Sequence, residues 1–265
     1  MNSESSRSLG PRTLGRTGLT VGPLGLSATY GVPAAAVERA FDEGMNYLYW
    51  GSYRRPAFGR ALRNLARQRE RMVLAVQSYS PFAAGITRSL ERSLRRLGFA
   101  YADVLLLGYR NRPIPERIRA ACCRLRERGL VRHLAISTHN RALIPTMAAD
   151  PDIEVFHVRY NAVHTGAERD VFPHLPAENP PGIIAFTATS WKQLLGHRRI
   201  PSGERVPTAG DCYRFVLSHP AVDVCMTGPA TAEHVDHALA AIRRGPMDED
   251  ELAWMRRVGR AIYAK

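Results

Sequence analysis

Short apolar runs alternate with amphipathic stretches along nearly the whole chain. Eight runs have the length and composition of strands: Leu24–Ser27, Met45–Tyr49, Met72–Val76, Asp103–Leu107, Val131–Ile136, Glu154–Val158, Gly182–Phe186 and Val222–Met226. Each leads into a helical segment, and the clearest of these repeat apolar residues with the 3.6-residue period of a helix. Ile86, Leu90, Leu94 and Leu97 recur four, four and three residues apart; Val235, Leu239 and Ile242 repeat the pattern, and Leu252, Met255, Val258 and Ile262 form a last stripe. Gly44, Gly98 and Gly129 stand where helices should stop, because glycine enters the left-handed conformation that closes a helix at little steric cost. Ahead of the first strand, Arg12–Val21 sets two short apolar stretches around a glycine-containing turn and predicts a hairpin.

Eight βα units in about 250 residues predict an α/β fold, a (β/α)8 TIM barrel with an N-terminal β-hairpin and an extra C-terminal helix. A doubly wound open sheet would carry a GxGxxG turn after its first strand; the segment after Leu26, SATYGVPAAA, has none. The polar residues 1–10 read as a disordered tail, and residues 11–265 as one barrel domain.

Composition narrows the partners. The chain carries 37 basic against 24 acidic residues, a formal +13, and its only lysines are Lys192 and Lys265. The arginines are spread over several predicted outer helices, without a helix-turn-helix, RNA-binding or zinc-finger signature, so no specific nucleic-acid partner is expected. No apolar run approaches the roughly 20 residues of a membrane span. The N-terminus lacks an apolar signal core, and Cys122, Cys123, Cys212 and Cys225 show no paired metal-ligand spacing, so a cytoplasmic protein without a bound metal is expected.

In such barrels the reacting groups come from the C-terminal ends of the strands. No carboxylate stands at any predicted strand end before Glu168, which argues against paired-carboxylate chemistry and against hard divalent metals. What remains is aromatic, hydroxyl-rich and cationic, a mouth suited to a flat or anionic small molecule. Trp50, Arg54, Gln77, Tyr109 and Arg110 are the candidate substrate contacts. Lys192 stands apart in an arginine-based chain, since an amine changes its pKa readily and a guanidinium does not. His139, His157 and His164 are candidate acid–base groups.

Several ordered segments resemble the aldo/keto reductases. LGRTGLTVGPLGLS (Leu14–Ser27) is similar to that family's hairpin and first strand, and SLERSLRRLGFAYADVLLL (Ser89–Leu107) to its third helix and fourth strand. GLVRHLAIS (Gly129–Ser137) resembles the fifth-strand segment, and CYRFVLSHPAVDVCMTGPATAEHVDHAL (Cys212–Leu239) the end of the barrel. The resemblance implies carbonyl reduction with NADPH, using a tyrosine acid flanked by lysine and histidine, with an aspartate behind the lysine.

The matching positions have changed. Tyr49 stands where the family has aspartate, Gln77 replaces the lysine, Gly108 replaces the histidine, and the tyrosine falls nearest to Tyr53, displaced by one residue. The resemblance therefore implies a rearranged proton donor, Tyr53 or Tyr49, aided by a cation such as Lys192 or Arg54, with His157 nearby. On the cofactor side it maps Ser137, Thr138 and His157 onto the groups that hold the nicotinamide amide. Phe186 falls on the stacking tyrosine, and Thr227–His234, with Thr227, Gly228, Thr231 and His234, on the adenosine-phosphate loop. That loop has no arginine for a 2′-phosphate, so either NADP or NAD is expected. Two other readings stand beside an oxidoreductase: a lyase or isomerase using His157 and Lys192, and a non-catalytic ligand-binding barrel.

Overall fold

The computed structural model describes residues 9–51 and 54–264. Two short antiparallel strands, β1 (Arg12–Thr13) and β2 (Thr20–Val21), form the predicted hairpin. Eight parallel strands then close into a barrel: β3 (Leu24–Ser27), β4 (Tyr47–Trp50), β5 (Val73–Ser78), β6 (Ala102–Leu107), β7 (Val131–Ser137), β8 (Val155–Arg159), β9 (Gly182–Phe186) and β10 (Val224–Thr227). Each is followed by a helix: α1 (Ala34–Asp42), α2 (Pro56–Asn64), α3 (Ala83–Leu97), α4 (Glu116–Glu127), α5 (Leu143–Ala148), α6 (Ala167–Asp170), α7 (Ala209–Leu217) and α8 (Ala232–Arg243). An additional helix, α9 (Glu249–Tyr263), ends the chain. The (β/α)8 barrel with its hairpin and extra helix is thus present. Two strands start two residues later than the sequence suggests, and Met45 and Val222 pack into the outer core before their segments join the ladder.

Local chemistry explains the elements. In α3 the buried residues are Ile86, Leu90, Leu94 and Leu97, and the helix ends at Gly98, whose φ of 73° places its N–H 2.8 Å from the Leu94 carbonyl. Helices α7 and α9 open with capping boxes, Thr208 with Asp211 and Asp248 with Glu251, which satisfy N–H groups that helix starts leave unpaired. Of the expected tail, residues 1–8 lie outside the described residues, and Leu9 is buried in the outer core. Among the described residues, no helix is long and apolar enough to cross a membrane.

Strand alternation divides the buried residues into two cores. The outer core lies between barrel and helices; the inner one fills the barrel with Tyr47, Ala75, Leu106, Ala135, Ile184, Met226 and their neighbours. Leu14 and Val21 of the hairpin region plug the N-terminal end of this inner core. Gly182 makes the plug possible, since a Cβ there would sit 2.6 Å from the Leu14 side chain. With one end closed, the inward-facing residues at the other end define the mouth.

Candidate functional site

Paired residues in a parallel ladder point to the same face, so the register carries the inner face up to the mouth. Tyr49 pairs with Ala75, Gln77 with Leu106, His157 with Ile184, Ser137 with His157, and Arg159 with Phe186. Ala75, Leu106 and Ile184 belong to the inner core. Tyr49, Gln77, Ser137, His157, Arg159 and Phe186 therefore face inward at the C-terminal end.

His157 is fully buried and its Nε2 lies 2.9 Å from the Tyr47 hydroxyl, a bond that joins β8 to β4 across the barrel. Burial alone drives its pKa down to about 3, so the imidazole stays neutral at physiological pH. Tyr49 stands 6.2 Å from the same ring, centroid to centroid. Burial first, and then neighbouring tyrosines, hold the Tyr49 hydroxyl far above the ordinary tyrosine range; Tyr47 is raised likewise. Among the described residues, the charges acting on these two hydroxyls are those of tyrosines and Asp103.

The glycine at the end of β6 has a direct consequence. A Cβ on Gly108 would overlap the Gln77 amide nitrogen and come within 2.6 Å of the Tyr79 ring. Gln77 and Tyr79 have thus folded into the volume a larger side chain would occupy, and the Tyr79 hydroxyl sits beside Tyr49 and Gln77. Tyr79 starts a row of rings: it stacks on Tyr109 at 5.3 Å, Tyr109 stacks on His139 at 5.3 Å, and His139 meets Phe186 edge-on at 6.2 Å. Tyr109 holds a φ of 51°, the left-handed region that costs a non-glycine residue about 1–2 kcal/mol.

Other candidate residues have different surroundings. Trp50 follows Tyr49 and so faces outward; it is 5% exposed and packs against Gly59 of α2 in the outer core. Trp50 corrects the expectation of a substrate contact, and the reason is the two-residue period of the strand. Arg110 donates from Nη2 to the Ser80 carbonyl at 2.5 Å. Lys192 is exposed in the loop after β9 with a φ of 69°, and its backbone N–H donates to Thr189 Oγ1 at 3.4 Å. Arg54 is exposed beside the mouth, and Tyr53 lies outside the described residues.

Several cofactor-side groups already have partners. Thr138 Oγ1 donates to Asn111 Oδ1 at 3.0 Å, and Thr227 Oγ1 to the Gly25 carbonyl at 2.9 Å. Thr231 caps α8 by accepting the His234 N–H, and the His234 ring accepts the N–H of Ala230. Gly228 lies beneath the Tyr30 ring, 2.6 Å from where a Cβ would stand. In contrast, Gln77 Oε1 and Ser190 Oγ are buried without a hydrogen-bond partner. Sequence reasoning missed Tyr47 and the filling role of Tyr79. Alternation in Tyr47–Trp50 was the available signal for the first; for the second, nothing in the sequence ties Tyr79 to Gly108.

A model of the aldo/keto reductase family matches residues 33–191. Among solved structures, the holo form of an aldo-keto reductase from Bacillus halodurans is 21% identical, with a TM-score of 0.78 over 94% of this chain and 96% of that one. An aldo/keto reductase from Klebsiella pneumoniae, in complex with NADP and acetate, is 22% identical with a TM-score of 0.77 over 96% of each chain. No curated protein matches the chain.

Proposed function

The chain belongs to the aldo/keto reductase family, and on that premise we propose that it is a nicotinamide-dependent oxidoreductase whose cofactor and small carbonyl or anionic substrate share the barrel mouth. One observation carries the reading: Ser137, His157 and Phe186, which resemble the family's nicotinamide-holding positions, come together on the inner face at the mouth. The similar Klebsiella reductase is in complex with NADP, which supports a dinucleotide of that type here. The residues present also fit such a group. Buried polar atoms without partners cost about 1–3 kcal/mol each, and Gln77 Oε1, on the inner face at the mouth, is one that a polar ligand would satisfy.

Phe186 offers a ring face to the nicotinamide, and Ser137 with the free Nδ1 edge of His157 offers polar contacts to its amide. The segment Thr227–His234 and the start of α8 would receive the phosphate end, since a helix N-terminus favours anions. When bound, the dinucleotide supplies the hydride. The chain must then supply a proton or a hydrogen bond to the carbonyl oxygen. Tyr49 is the inward hydroxyl at the required end, and its raised pKa keeps it protonated at every working pH. It can therefore donate a hydrogen bond to the oxygen of a developing alkoxide.

A fluorescence or calorimetric titration with NADPH, NADH and NADP⁺ tests the reading. Saturable binding is expected, and no signal with any of the three overturns it. The burial that holds the Tyr49 hydroxyl protonated also favours a second reading, a barrel that binds dinucleotide without turnover. Binding without NADPH consumption across a panel of aldehydes and ketones identifies that case.

A further inference from the structure

The cations at this end of the barrel are not equivalent. Arg141 and Arg169 both pair with Asp170, at 2.8 and 2.7 Å, and Arg256 pairs with Glu168 at 2.9 Å. Those pairs use two of the three carboxylates between β8 and β9. Arg159, the last residue of β8, faces inward opposite Phe186 and is only half-buried. Among the described residues no carboxylate lies within ion-pair distance of its guanidinium, which instead sits 5.8 Å from the Trp191 ring centroid. Its charge is felt nearby: burial, and then Arg159, keep His139 and His164 below the ordinary histidine pKa, so both remain neutral at physiological pH.

An unpaired guanidinium in a partly desolvated mouth has five donors and a fixed planar fork, the geometry that takes a carboxylate through two parallel hydrogen bonds. Flat surfaces flank it. Trp191 lies against the guanidinium, and the Tyr79–Tyr109–His139 row leads to Phe186, its register partner. Rings in this arrangement favour a conjugated, planar ligand body. We propose that Arg159 is the anion-recognition residue of the mouth and that the substrate is a planar carboxylate, with its conjugated body against the aromatic row. The proposal rests on the mouth being the substrate site, as in the reading above, and it adds a ligand class and a residue.

Calorimetric titration of the full chain with benzoate, its neutral isostere benzamide, and inorganic pyrophosphate tests the assignment. Benzoate is expected to bind at least about tenfold more tightly than benzamide, in keeping with the value of a charge-assisted hydrogen-bond pair. Arg159→Gln should remove that preference and leave benzamide unchanged, while Arg159→Lys should keep part of it. Unfolding temperatures of both variants guard against misfolding. Failure of benzoate to bind, equal affinity for benzoate and benzamide, or a preference that survives in Arg159→Gln overturns the proposal. So does pyrophosphate binding that benzoate does not displace and that Arg159→Gln abolishes, because Arg159 would then serve the diphosphate of a dinucleotide. NADPH binding retained by a chain that ignores benzoate defeats only this inference; benzoate binding without NADPH binding defeats only the oxidoreductase reading.

Discussion

His157 should make the protein acid-sensitive in a way that one substitution isolates. The unfolded chain binds a proton at the ordinary histidine pKa near 6.5, whereas the buried ring binds one only near pH 3. Between those values the unfolded state holds more protons, so stability falls as pH drops, by about 1.4 kcal/mol per pH unit. The stabilising share is complete above pH 6.5 and is lost on acidification. From pH 7.5 to 4.5 the loss crosses two units of that window and amounts to about 3 kcal/mol, or about 1 M in a urea midpoint. Asp223 acts in the opposite sense, since burial raises its pKa to about 6, but it is common to both proteins compared. Gln in place of His157 cannot titrate and can still meet the Tyr47 hydroxyl. Urea unfolding followed by circular dichroism at pH 7.5 and 4.5 should therefore show wild type losing about 3 kcal/mol more than His157→Gln. Parallel losses in the two proteins would refute the neutral, buried state of His157.

Three further outcomes follow from packing. Gly108→His should be destabilising: its side chain must displace Gln77 and Tyr79, and thermal denaturation should show a cost of about 1–3 kcal/mol. Gly259→Ala in α9 should lower the unfolding temperature by at least about 5 °C, because its methyl would overlap the Ala162 carbonyl, which is backbone and cannot rotate away. Thr231→Ala removes the side-chain cap of α8 and should cost about 1 kcal/mol in chemical denaturation.

The barrel was legible because its signals are local and repeated. Periods of 3.6 in α3, α8 and α9 and apolar runs in the strands each report their own burial, and Gly44, Gly98 and Gly129 all adopt the positive φ expected at helix ends. The mouth was legible only as a set of positions. Tyr47 and His157 are 110 residues apart, and nothing in either neighbourhood announces the bond between them. Arg110 and Ser80 are 30 residues apart, and neither neighbourhood announces that the Ser80 carbonyl takes one donor of the guanidinium. Trp50 could have been placed correctly, because it alternates with Tyr49 and must face the other way. Arg159 could not be separated from the other arginines by sequence, since only the fold pairs Arg141 and Arg256 and leaves Arg159 without a carboxylate.

The space claimed by Gln77 and Tyr79 over Gly108 also bears on which side chains this mouth can accept. A histidine at position 108 meets an occupied volume. An aspartate at position 49 would be largely buried, among described neighbours that are tyrosines and not cations. Each change alone costs stability through overlap or an unpaired buried charge. Positions 49, 77, 79 and 108 therefore set conditions for one another, and new side chains enter this mouth more cheaply in combination than singly.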